Sequence, residues 1–240
     1  MRTFLYLGLF FVMAPLVSHA QTATLLWETQ TYTPPFYEGA SLYSDGGTIY
    51  AEAYVSNSFY PEESLSYKWV KDGVVLGSLS GVGKSSLITS GPRFLGDYIL
   101  EVKISDPEGI EFTSSALLIE TRDPKIVFYE TDPLLGSLFH KSIKSNISFS
   151  NSSQIQAIPY FLSTQSIHNE FLSYSWNLNG KEVAGIGSTP SFLSMRVEGE
   201  DPSVLNVSLS VAHSQNFLQD ARGRLNLTIE GSSSRSLFGL

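Results

Sequence analysis

Between Tyr98 and Ile104 the chain alternates, with Tyr98, Leu100, Val102 and Ile104 on one side and Glu101 and Lys103 on the other. A two-residue period puts one set of side chains on one face of an extended strand, and no helix has that spacing. Leu205, Val207, Leu209 and Val211 repeat the pattern, interleaved with Asn206, Ser208 and Ser210. Shorter versions are Leu65, Tyr67 and Trp69, and then Leu172, Tyr174 and Trp176.

These strands are related. Leu65-Ser66-Tyr67-Lys68-Trp69 recurs as Leu172-Ser173-Tyr174-Ser175-Trp176, an offset of 172 − 65 = 107. Asp72-Gly73 and Asn179-Gly180 follow at the same offset, and both dipeptides favour tight hairpin turns. Ile49, Ala51 and Tyr54 align with Ile155, Ala157 and Tyr160, one residue closer. Each unit therefore has a Trp-bearing strand, a tight turn, a long alternating strand and a closing strand, placed roughly at Glu111–Glu120 and Arg224–Glu230. Short strands separated by turns, with a Trp on a central strand in a unit of about 100 residues, predict an Ig-like sandwich. The expected fold is all-β, two tandem Ig-like (PKD-like) antiparallel β-sandwich domains after a signal peptide. No amphipathic helix of ten residues is apparent.

The domains are expected at residues 21–123 and 124–231, divided at the polar stretch Thr121-Arg122-Asp123-Pro124, with a Ser-rich tail over 232–240. So short a linker predicts a semi-rigid rod. Residues 1–20 read as a signal peptide: Arg2, an apolar run from Phe4 to Val17, then Ser18-His19-Ala20 before a cut at Gln21. That run falls short of the roughly 20 residues a membrane-spanning helix needs. No second such run occurs, so no transmembrane segment is expected in the mature chain. The expected location is exported: periplasmic, cell-surface or extracellular.

Composition narrows the function. The 240-residue chain carries a formal net charge of −8 and no basic block, which argues against nucleic acid as a partner. It has no Cys, so burial must stabilise it without disulfides. Asn-x-Ser/Thr triplets begin at Asn146, Asn151, Asn206 and Asn226.

Tyr67-Lys68-Trp69-Val70-Lys71-Asp72-Gly73 and the run from Tyr98 to Gly109 resemble the PKD-type and related Ig-like domains of bacterial exported or surface proteins. The compact Trp-Asp-Phe-Gly-Asp-Gly motif of that family is absent, and Ala212-His213-Ser214-Gln215 replaces the Asp-to-Gly turn in the second unit. The resemblance implies a spacer, an adhesion module or an accessory domain of a secreted enzyme.

Candidate chemistry is sparse. His140, His168 and His213 have no metal-ligand spacing. Gly81-Val82-Gly83-Lys84-Ser85 lacks the earlier Gly and the following helix of a phosphate loop, and reads as a hairpin loop. Asp106, Glu108 and Glu111, joined by Asp97 only through tertiary placement, are a calcium candidate, although Asp-Pro-Glu-Gly also makes a good turn alone. No catalytic, cofactor-binding or metal residue is assigned, and no cofactor is expected. Two aromatic strands, Leu25-Leu26-Trp27-Glu28 and Val127-Phe128-Tyr129-Glu130, each lead into a Pro-bearing crossing. The expected function is a non-enzymatic cell-envelope or extracellular module for binding, adhesion or spacing, with an unknown protein or polysaccharide of the envelope as partner. A carbohydrate-binding accessory module of a secreted hydrolase system is the alternative, and it requires coplanar exposed aromatics among Trp27, Phe36, Tyr37, Tyr43 and Phe59. An unrecognised enzyme would require a concave pocket of convergent polar groups.

Overall fold

The computed structural model describes residues 21–56, 58–90, 96–144, 147–149, 152–186, 189–196 and 203–229. The expected signal peptide, the Ser-rich tail and the triplet positions Asn146 and Asn151 lie outside these residues.

The first unit is built from β1 (Thr22–Thr29), β2 (Thr48–Ser56), β3 (Ser66–Lys71), β4 (Val74–Val75), β5 (Gly81–Val82), β6 (Ser86–Ser90), β7 (Tyr98–Ser105) and β8 (Glu111–Ile119). One sheet runs β1-β2-β6. The other runs β4-β3-β7-β8, with β5 also paired to β3. The second unit contains β9 (Lys125–Asp132), β10 (Gly136–Ile143), β11 (Ile147–Phe149), β12 (Ser152–Tyr160), β13 (Leu172–Leu178), β14 (Lys181–Val183), β15 (Phe192–Arg196), β16 (Ser203–His213) and β17 (Asp220–Ile229). Its sheets are β10-β9-β12-β15 and β11-β17-β16-β13-β14. Among the described strands every pairing is antiparallel except β11 with β17, and Tyr43 and Thr121 form an isolated parallel bridge. The protein is thus two tandem Ig-like sandwiches, and helix is confined to two single 3-10 turns among the described residues.

The repeat extends to individual hydrogen bonds. Asp72 and Asn179 sit at φ +48° and +50°, each followed by a left-handed Gly, as a type I′ turn requires. Asp72 Oδ1 accepts the amide of Ile99 at 2.9 Å, and Asn179 Oδ1 accepts that of Asn206 at 2.8 Å. Each sandwich is centred on a buried indole that donates to a backbone carbonyl: Trp69 to Lys84 at 2.9 Å, Trp176 to Pro190 at 2.8 Å. Around Trp69 pack Ile49, Ala51, Leu100, Val102 and Ile104, and around Trp176 pack Ile155, Ala157, Val207, Leu209 and Val211. The alternating positions of the sequence are therefore the core positions.

One strand is longer than its pattern suggested. β17 begins at Asp220, where alternation alone placed the start near Arg224. Its inward residues there are Ala221 and Gly223, too small to read as apolar. A Cβ on Gly223 would lie 2.6 Å from the Phe128 ring, so the strand is thinned where β9 packs its aromatic residue.

The units differ in the connection after their first strand. In the second, β9 turns tightly at Asp132, whose Oδ1 accepts the amides of Leu134 and Leu135, and returns as β10 on the same sheet. In the first, the connection leaves the sheet and lays residues 31–42 against the second unit before Tyr43 returns to the first core.

Candidate functional site

Residues 31–42 form a strap. Its conformation is set locally by proline: Pro34 and Pro35 supply no amide to a sheet ladder, so the segment bends as a turn closed by Tyr37 N donating to Pro34 O at 2.9 Å. Thr31 Oγ1 donates to Leu42 O at 2.8 Å, which holds the two ends of the strap together.

The strap meets the second unit through a reciprocal backbone pair. Tyr32 N donates to Leu162 O at 2.7 Å, and Phe161 N donates to Tyr32 O at 2.8 Å. Phe161 is fully buried at φ +65°, a region that costs an ordinary side chain about 1–2 kcal/mol. The bend turns its amide out of the β12 ladder and towards the strap. Aromatic packing follows. Phe36 stacks on Phe139 of β10 at 4.3 Å and 17°, and meets Tyr129 edge-on at 5.7 Å. Tyr37 meets Tyr160 and Phe161 edge-on at 5.6 and 5.9 Å. Tyr129, Ile158, Tyr160, Phe161 and Ile167 form one buried cluster, to which Tyr32, Tyr37 and Leu42 contribute from the strap.

The cluster is polar at one point. The hydroxyls of Tyr129 and Tyr160 are 2.7 Å apart and buried. Burial, and then the hydrogen bond with Tyr129, raises the Tyr160 phenol well above the ordinary tyrosine range. Burial also raises Tyr32. Lys125 Nζ lies over the Tyr160 and Phe161 rings at 5.6 and 5.5 Å, close enough for cation–π attraction.

Behind the strap the turn Ser44-Asp45-Gly46-Gly47 forms a second seam. Asp45 O accepts Gln219 Nε2 at 2.9 Å and Asn216 Nδ2 at 3.0 Å. Gln219 also bridges the amide and hydroxyl of Ser163. Buried His213 accepts the amides of Gln215 and Asn216 at Nδ1, which assigns the proton to Nε2 for donation to Ser163 O at 3.1 Å. Gly46 adopts the left-handed φ of +70°, and a Cβ there would lie 2.6 Å from the Asn216 side-chain amide, which would have to move. The Asp45 carboxylate is buried, and neither oxygen has a hydrogen-bond partner among the described residues. Burial, followed by repulsion from Asp123, raises its pKa above the ordinary aspartate value.

Two clefts flank the strap. The more apolar encloses about 450 Å³ between Tyr32, Pro34, Pro35, Phe36, Phe139 and Ile158. The other, about 630 Å³, lies between residues 30–33 and residues 164–168 and is the more polar. The first offers flat rings and prolines with Gln156 as a polar edge, a lining suited to apolar or aromatic groups.

The aromatics named from sequence do not form one plane. Phe36 and Tyr37 are in the strap, but Tyr43 is wholly buried against Tyr98, Trp27 packs on the first core, and Phe59 stands 87 % exposed at the far end of the first unit. The platform required by the carbohydrate reading is therefore missing from this set. Around the calcium candidate, Asp106 Oδ1 accepts the Ile110 amide and Glu108 accepts the Tyr60 hydroxyl, while Asp97 lies at the opposite end of β7 and accepts the Thr121 amide. Among the described residues no three His, Asp or Glu side chains gather as a metal site. The Gly81–Ser85 segment forms β5 and its turn, with Lys84 Nζ donating to Ser78 O. No helix among the described residues is long and apolar enough to cross a membrane. Sequence reasoning missed Phe139, Phe161 and Gln219, whose roles depend on contacts across the seam.

No protein-family model matches this sequence, and no curated protein matches it. Among solved structures the chain is similar to the three N-terminal domains of the bacteriophage RB49 highly immunogenic outer capsid protein, at 13% identity and a TM-score of 0.44, over 88% of this chain and 59% of that chain. It is also similar to the fibronectin(III)-like modules of Clostridium thermocellum CbhA, at 13% identity and a TM-score of 0.28, over 90% of this chain and 100% of that one. A third likeness is to Bacteroides ovatus SGBP-B in complex with mixed-linkage heptasaccharide, at 12% identity and a TM-score of 0.26, over 86% of this chain and 47% of that one. The chain thus spans little more than half of the capsid fragment.

Proposed function

We propose that this protein is a non-enzymatic, exported binding or spacer module of the cell envelope or extracellular space, built from PKD-type units at residues 21–123 and 124–231. The signal-peptide pattern of residues 1–20 supports export, and the PKD-like Trp strand and turn support the unit type. The observation that carries the binding reading is the strap. It joins the two sandwiches through backbone, aromatic and side-chain contacts and leaves an apolar cleft of about 450 Å³ beside Phe36 and Phe139. The partner is a protein segment that places an apolar or aromatic side chain in that cleft.

Capture from the envelope fraction of the source cells tests the reading, with the full chain as bait and a Phe36→Ser/Phe139→Ser variant beside it. The expected result is one protein retained by the wild type and lost by the variant. Polysaccharide retained without protein would move the assignment to a carbohydrate-binding accessory module, and no enrichment would leave a passive spacer.

A further inference from the structure

The repeat makes the two first sheets directly comparable. Trp27 pairs with Ala51 as Phe128 pairs with Ala157, so Leu26 corresponds to Val127, Glu28 to Tyr129, Glu52 to Ile158 and Tyr54 to Tyr160. In the second unit all four positions belong to the cluster covered by the strap, and Tyr160 is 4 % exposed. In the first unit the same face is bare. Leu26 is 54 %, Tyr54 49 % and Ile88 of β6 62 % exposed. The face is also acidic. Glu28 and Glu52 replace an aromatic and an aliphatic residue, Tyr50 donates to Glu52 at 3.2 Å, and neither carboxylate forms an ion pair with a described residue.

We propose that the outer face of β1-β2-β6 is a docking surface for an extended segment of another polypeptide that carries an aromatic side chain together with Lys or Arg. The covered face of the second unit supplies the template, a proline-bent aromatic segment laid across the sheet. The two glutamates supply the difference, because positions apolar under the strap are here anionic and call for cations opposite. A second copy of this chain fits poorly. Two such faces would bring four carboxylates together without a cation, and each copy's strap is already engaged in its own seam. The surface is separate from the cleft beside Phe36, so the two assignments stand or fall independently.

A random dodecapeptide library displayed on phage provides the test, selected on the full chain and counter-selected on a Leu26→Asp/Ile88→Asp variant. Both substitutions point to solvent, and an unchanged thermal melt controls for folding. Enriched peptides are expected to combine an aromatic residue with Lys or Arg, to protect β1, β2 and β6 from hydrogen exchange, and to bind a Glu28→Lys/Glu52→Lys variant about tenfold more weakly. They should bind the Phe36→Ser/Phe139→Ser variant unchanged. Peptides that bind wild type and counter-selection variant alike, that lack basic residues, or that fail to enrich would overturn the proposal. So would a wild-type dimer in light scattering that the Leu26→Asp/Ile88→Asp variant dissolves.

Discussion

The connection after the first strand has opposite fates in the two units. In the second it turns within a few residues and adds β10 to its own sheet. In the first it leaves its sheet and covers that of its neighbour, where its Phe36 stacks on Phe139 of β10. Two units of one repeat therefore share their cores but differ in the exposure of equivalent faces. The core is set by alternation and turn chemistry, which the repeat duplicates. The outer face depends on the length of one connection and on what lies beside it.

The largest expected effect tests the shared part. Trp69→Ala and Trp176→Ala should each cost about 3–5 kcal/mol in urea unfolding, since each removes a fully buried ring and leaves a carbonyl without its donor. Similar costs would confirm that the cores are equivalent, whereas a large inequality would break the comparison.

The next pair sharpens the difference. Tyr160→Ala should cost about 3 kcal/mol, from lost burial and an orphaned Tyr129 hydroxyl, while Tyr54→Ala should stay within about 0.5 kcal/mol. Comparable losses from both would mean that the Tyr54 face is covered in solution.

Smaller again is Gly46→Ala, expected to cost about 1–2 kcal/mol because the left-handed backbone disfavours a side chain and Asn216 must move. Increased hydrogen exchange at the Tyr32 and Phe161 amides would show the seam loosening, and exchange in β7 should not change.

Asp45→Asn should stabilise the protein by about 1 kcal/mol near neutral pH by removing a buried charge that lacks a donor. The sign with pH follows from linkage. The carboxyl is harder to ionise folded than unfolded, so folding takes up a proton between the ordinary aspartate value and the raised one. The wild type should thus lose stability relative to the variant as pH rises through that window and keep the deficit above it. Thermal melts of both proteins from about pH 3 to pH 7 would show this, and a constant difference would refute it.

Much of this architecture was legible in the sequence. Leu100, Val102 and Ile104 announced the face they bury, and Asp72-Gly73 and Asn179-Gly180 announced their turns, because strand period and left-handed turn chemistry are local properties. The strap was not legible. Tyr32-Thr33-Pro34-Pro35-Phe36-Tyr37 read only as the Pro-bearing crossing after the first strand, and nothing local tells that these residues meet Leu162 and Phe161 of the second unit. No local rule marks Phe161 for positive φ, which the seam imposes. One signal was available: Tyr54 and Tyr160 align, while the residues that lead to those aligned strands, 30–47 and 133–151, do not.

The strap also imposes an order on biosynthesis. Leu162 follows Tyr32 by 130 residues, so the strap emerges from the ribosome long before the sheet that receives it. For that interval Phe36 and Tyr37 belong to a nascent chain with no surface to bury them, which is the condition under which chaperones bind and chains misassemble. A chain truncated before β12 would carry the same aromatic segment permanently uncovered, marking incomplete molecules for capture by the cell's quality-control proteases.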